Sequence, residues 1–227
     1  MSSKKHLRAT TPTVRRVPTQ RPGPAGGKRD QNRLRRLTQL CDAGLAEFLE
    51  RGIEAVTVDE IARAAGTAKG NFYRYVEDKR DLVDALIAPL RAAFDDAMDR
   101  CEGATDAATD VSGLNTAYMT LALDLLKLFA DHRDLVRLYL QEARVPGGGA
   151  RAPVADLERH VTARTIALTK VAHEHQLLGK IPPEVSALAV IGATERLVLA
   201  HLRDGLLANE AQIATSLVRM VMEGIAG

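Results

Sequence analysis

An all-α fold is predicted by three observations. The composition is rich in Ala and Leu, with no Trp and only four Phe and four Tyr, which favours helices over a β-sandwich. Apolar residues recur every three or four positions along most of the chain, the period of one helical face. Gly, Pro and capping residues punctuate those stretches, and no segment alternates as a half-buried strand does. The length of 227 residues and an apolar content of 46% suffice for a sizeable core.

Residues 1–29 stand apart. They carry Lys4, Lys5, Arg8, Arg15, Arg16, Arg21, Lys28 and Arg29 and no acid, while residues 30–227 hold 23 basic against 29 acidic groups. The body is acidic and the arm strongly basic, so attraction to a polyanion falls to the arm. Pro12, Pro18, Pro22 and Pro24 oppose an amphipathic helix, and the segment is expected to be disordered in isolation. A DNA-contacting arm, an inert solvated tail and a targeting segment remain three open readings. There is no apolar core of a secretory signal and no uncharged apolar run of membrane-spanning length. Cys41 and Cys101 belong to no CxxC pattern and read as reduced thiols of a cytoplasmic protein.

About nine helices follow. The first spans about 31–51, with Leu34, Leu37, Cys41, Leu45, Phe48 and Leu49 on one face and Gly52 as its stop. Thr57, with Glu60 three residues on, forms a capping box for the second. Gly66 occupies a turn that needs positive φ. The third runs over about 68–75 with Phe72 as inward anchor, and Asp78 caps a fourth over about 79–100. Five more are expected at about 112–130, 132–144, 154–178, 183–207 and 209–225, with Pro183 in a first turn where its missing N–H is harmless.

The second and third helices form a helix-turn-helix, whose second helix suits the DNA major groove. With Phe72 inward, Lys69, Asn71, Tyr73 and Arg74 face partly or wholly outward. Asn can pair with adenine and Arg with guanine in bidentate fashion, whereas Lys69 and Lys79 suit phosphate. Ala64-Ala65-Gly66, Lys69-Gly70, Tyr73-Arg74-Tyr75 and Lys79 stand in an order that resembles the TetR family of bacterial transcriptional regulators. The resemblance is close over about fifty residues from near Arg33; beyond them only the helical layout is similar. It implies backbone phosphate contacts for Thr57, Tyr73 and Lys79. Base reading then falls to Lys69 and Asn71, with Thr67, Ala68 and Arg74 as further candidates. Thr67-Ala68 departs from the usual Val-Ser, so base preference does not carry over from relatives.

The expected organisation is an arm at 1–29, a three-helix DNA-binding domain at 30–78, and a larger ligand-binding and dimerisation domain at 79–227. A single reading helix buries too little surface for specific affinity, so a homodimer is expected. The helix at 183–207 is apolar on more than one face, through Leu188, Ile191, Leu199, Leu202 and Leu206 and through Val190, Leu197, Val198 and Leu207. Ile213, Leu217, Met220 and Val221 repeat the pattern in the last helix. The resemblance places the dimer interface on these two helices and a small-molecule pocket among the middle ones. Candidate pocket residues are Tyr118, Met119, Tyr139, His160 and Arg164. No catalytic pair, nucleotide-binding loop or metal spacing occurs, so neither cofactor nor catalysis is expected; His173 and His175 diverge around their helix. The leading expectation is a repressor released from its operator by a small effector, with the fourth helix as the lever. A constitutive or architectural DNA-binding regulator, or a helical-bundle enzyme with an accessory helix-turn-helix, are the alternatives.

Overall fold

Nine α-helices and no strand make up the described residues: α1 (Lys28–Arg51), α2 (Val58–Ala64), α3 (Lys69–Phe72), α4 (Lys79–Asp106), α5 (Val111–Asp131), α6 (Arg133–Glu142), α7 (Ala152–Glu174), α8 (Pro183–Asp204) and α9 (Glu210–Ile225). The structure is a computed structural model and describes residues 27–175, 181–204 and 210–225. Most of the basic arm, the expected helix stop at Gly179, and Leu206 and Leu207 lie outside the described residues.

Local signals set most boundaries. Thr57 and Glu60 form the reciprocal capping box, and Asp78 accepts from the Asp81 N–H to start α4. Gly52 and Gly66 adopt φ of 83° and 64°, which a side chain would strain. Several boundaries move. α1 begins at Lys28 rather than near 31, so the last two basic residues of the expected arm are helical. α4 runs on past Arg100 to Asp106, and α5 is capped by Asp110, whose carboxylate accepts from the Gly113 N–H. The regular part of α3 ends at Phe72. Its last turn tightens because Arg74 and Tyr75 donate three residues back, to the carbonyls of Asn71 and Phe72.

Two apolar clusters meet along α4. Leu82, Val83 and Leu86 join Phe48, Ile53, Ile61 and Phe72 of the N-terminal helices; Ile87, Leu90, Phe94 and Met98 join α5, α6 and α7. Pro89 sits within α4 close to this changeover, on its exposed side. It removes one backbone hydrogen bond from the helix, and the freed carbonyl can turn to water. The N-terminal core is not closed by its own three helices: Leu138 of α6 and Val154 of α7 complete it.

A polar clasp reinforces that seam. Glu142, at the end of α6 and only 3% exposed, accepts from the Ile53 N–H at 3.2 Å and from Arg151 Nε at 2.5 Å. The Arg151 N–H in turn donates to Glu54 at 3.2 Å. The loop between α1 and α2 is thereby fastened to the C-terminal helices by both packing and charge.

Candidate nucleic-acid interface and ligand cavity

Phe72 is fully buried, and its ring meets Tyr73 edge-on at 5.5 Å between centroids. That anchor fixes which way the rest of α3 faces. Tyr73 is 41% exposed, and Arg74, Lys69 and Ala68 are exposed beside it. Asn71 is half-buried, and its amide donates to Thr67 Oγ1 at 2.8 Å. This bond orients the amide while leaving its oxygen and second N–H for a base edge. Lys69 pairs with Asp59 across the turn at 2.9 Å; both side chains are about half exposed, so solvent weakens the pair.

Two of the three residues expected to grip phosphate are engaged within the fold. The Lys79 ammonium donates to the carbonyls of Ile53, Glu54 and Val56 at 2.8, 3.1 and 2.8 Å, which uses all three of its protons. It locks the α1–α2 loop in this fold. The Thr57 hydroxyl donates to Glu60 at 2.7 Å as part of the cap. Its proton is therefore also committed, and only its oxygen faces further donors. The Glu60 carboxyl is pulled down to about 2, mainly by the hydrogen bond from Arg51 and then by the bonds from Thr57.

Beyond α4 lie two adjoining apolar cavities of about 130 and 150 Å³. Both are walled by Leu121, Leu125, Phe129, Thr165, Leu168 and Val198, among others. Of the five expected pocket residues, Tyr118 lines one cavity and Tyr139 the other. Burial holds both phenols protonated, pushing their ionisation well above the ordinary range. The other three do not face this space. Met119 packs in a separate cluster with Leu114 and Ala172. His160 bonds Asp95 at 2.5 Å, and Arg164 reaches Asp99 and Glu102 at 2.6 and 3.0 Å. These two fasten α7 to α4. Thr165, Thr194 and Glu195 are further polar wall residues, and of these only Glu195 falls in the band that periodicity marks on the 183–207 helix. Glu195 accepts from the Tyr139 hydroxyl at 3.2 Å and from Arg144 at 2.9 Å. His173 is occupied by backbone carbonyls at Thr169 and Ile181, and among the described residues no cluster of potential ligands could hold a metal ion. Burial pushes the Cys41 and Cys101 thiols up to about 11, which leaves little thiolate for reaction.

A capped helix, a glycine turn and a short outward-polar helix on a buried Phe define a helix-turn-helix protein of the DNA-binding class. The description "Bacterial regulatory proteins, tetR family" matches residues 40–86, and the chain belongs to that family. It is 41% identical over 61 residues to the HTH-type transcriptional repressor KstR2 of Rhodococcus jostii, covering 27% of this chain and 28% of that protein. With the HTH-type transcriptional repressor BepR of Brucella suis it shares 32% identity over 145 residues, covering 62% and 66%. The match thus spans little more than a quarter of the first relative's length. The fold is also that of the transcriptional regulator FadR from Bacillus subtilis in complex with stearoyl-CoA, with a TM-score of 0.62 at 16% identity over 83% of this chain and 98% of that one.

Proposed function

We propose that the chain is a dimeric transcriptional repressor that leaves its operator when a small apolar effector fills the cavities behind α4. The observation that carries this reading is the orientation of α3, which turns Asn71, Tyr73 and Arg74 outward over a buried Phe72 while α4 ties that helix to the cavity walls. The proposed DNA-binding domain is residues 30–78 and the effector and dimer domain 79–227. Asn71 and Lys69 read bases, with Thr67, Ala68 and Arg74 beside them, and Tyr73 grips phosphate. Thr57 and Lys79 support the reader from within. KstR2 and BepR are repressors, which supports that sign of regulation, while a further matching relative is an activator.

The effector's class follows from the walls. Aliphatic and aromatic side chains dominate both cavities, and Glu195 is the one charged group among their described walls. A mostly hydrocarbon molecule fits such space. It can release DNA only by as much as it favours one spacing of the two reading helices over the other. Two routes carry that preference forward: α4 with Pro89, and α6, which lines a cavity through Tyr139 and holds the α1–α2 loop through Glu142.

The dimer forms through α8 and α9. Val185, Leu188 and Met220 are 56%, 53% and 56% exposed, far more than large apolar groups need be in a finished core. α8 over Pro183–Leu202 also has the length and mean hydropathy, 1.5, of a membrane span, although the sequence has no uncharged run of that length. It contains Glu184, Glu195 and Arg196, and a protein partner explains its apolar character with no lipid required. Sedimentation tests the dimer. The wild type should sediment as a dimer at micromolar concentration and Leu188→Glu as a monomer with weakened DNA binding. A wild-type monomer that still binds DNA tightly would refute the dimeric reader.

A further inference from the structure

Lys28–Arg36 form the first turns of α1 and are exposed throughout; the first buried residue of the helix is Leu40. A helical stretch with no buried face is not held by packing, so its purpose is on its surface. That surface is basic. Arg29, Arg33 and Arg36 follow the i, i+4, i+7 spacing of one helical face. With Arg35 they line an open polar groove of about 510 Å³, and Arg74 and Tyr75 from the end of α3 form its other wall. No acidic side chain lines it.

The charge there is uncommitted, unlike that closer to the reading helix. Lys79 is spent on three carbonyls, Lys69 on Asp59, and Arg51 on Glu60. Among the described residues none of the five groove arginines enters an ion pair; Arg36 alone has a side-chain partner, the neutral Gln39 amide oxygen at 2.9 Å. Unpaired guanidiniums gathered in one groove repel each other and call for an anion.

We propose that this α1–α3 groove grips the sugar–phosphate backbone of DNA flanking the bases read by α3. The inference rests on the DNA-binding reading above and extends its footprint. Two features favour a line of phosphates over a single anion. Arg29 and Arg36 lie seven residues apart on α1, about 10 Å along the helix. Phosphates on one strand advance about 3.4 Å along the DNA axis, so the stripe spans about three of them. The groove is also continuous with the reading surface: a small adjoining hollow is lined by Arg36 and Gln39 together with Thr67 and Asn71. A duplex seated on α3 brings its neighbouring backbone against α1. Guanidinium forks suit phosphate oxygens, and these contacts add affinity without sequence preference.

The test uses the full chain and fluorescein-labelled random-sequence duplex DNA, with affinity measured by anisotropy over a range of KCl concentrations. Each phosphate contact contributes about 0.9 to the slope of log affinity against log salt, so Arg29→Gln/Arg33→Gln/Arg36→Gln should lower that slope by about 3 per bound protomer. The matching triple Lys variant keeps the charge and should retain most of the slope. These positions are exposed, and an unchanged circular dichroism spectrum confirms an intact fold. A folded Gln variant with the wild-type slope overturns the proposal. So does a loss confined to one preferred sequence, because that would mark base reading. A wild type that binds no duplex at all overturns the functional reading and this inference together.

Discussion

Glu142→Ala should destabilise the protein far more than the loss of a residue at a helix end normally would. The carboxylate is 3% exposed and holds the Ile53 N–H and the Arg151 guanidinium, whose side chain is itself only 15% exposed. Removing it strands a positive charge and an amide in a seam between two apolar clusters. Breaking a buried pair from one side typically costs about 3–5 kcal/mol. Arg151 can recover some water by swinging outward, which places the expectation near about 3 kcal/mol. For a chain of this size that lowers Tm by about 6–12 °C. Glu142→Gln keeps an acceptor for Ile53 and should cost about half as much. The assay is urea unfolding at fixed protein concentration, with Arg151→Met and the double variant completing a cycle. A Glu142→Ala change within about 0.5 kcal/mol of wild type, or a coupling to Arg151 below that value, would refute the clasp.

Three other outcomes follow from the same structure. Asn71→Ala should relax preference at one base position and cost about 1–3 kcal/mol on the preferred site, read by competition against random duplex; equal losses on both would remove its base-reading role. The Glu60 carboxyl lies near 2 in the folded chain against an ordinary 4.5, so its support of α2 is full above about 4.5 and disappears as pH falls through about 2. Acid unfolding should therefore be shallower across that window for Glu60→Gln than for wild type, and identical acid limbs would contradict the assignment. Thr194→Phe projects a ring into a wall shared by both cavities and should leave DNA binding intact while abolishing release by apolar effectors. Retained release in a filter-binding assay would place the effector elsewhere.

The reading unit was the most legible part of the chain because its signals are local. Thr57 to Glu60, Gly66 and Asp78 each act within four residues, and the structure has each in the expected place. Long-range partners were not legible. Nothing within reach of Lys79 in sequence shows that three carbonyls more than twenty residues away will take its protons. Glu142 is in sequence one more charged residue near a helix end, and only tertiary contact with Ile53 and Arg151 explains its burial. Of the residues expected at the pocket, the aromatic Tyr118 and Tyr139 line the cavities. His160 and Arg164 pair instead with carboxylates of α4, and those partners lie more than sixty residues away in sequence. The extension of α1 was missed for a different reason: without a buried face it has no apolar period to detect.

The central claim is a two-fold reader of DNA built on α3. Selecting bound fragments from a genomic DNA pool with the full-length protein tests it most directly. The account predicts an enriched inverted repeat whose half-sites lie about one helical turn, roughly 10 base pairs, or a multiple of it apart. It also predicts that Asn71→Ala weakens the preference at one position in each half. Enrichment of a motif without two-fold symmetry, or of no motif at all, would contradict it.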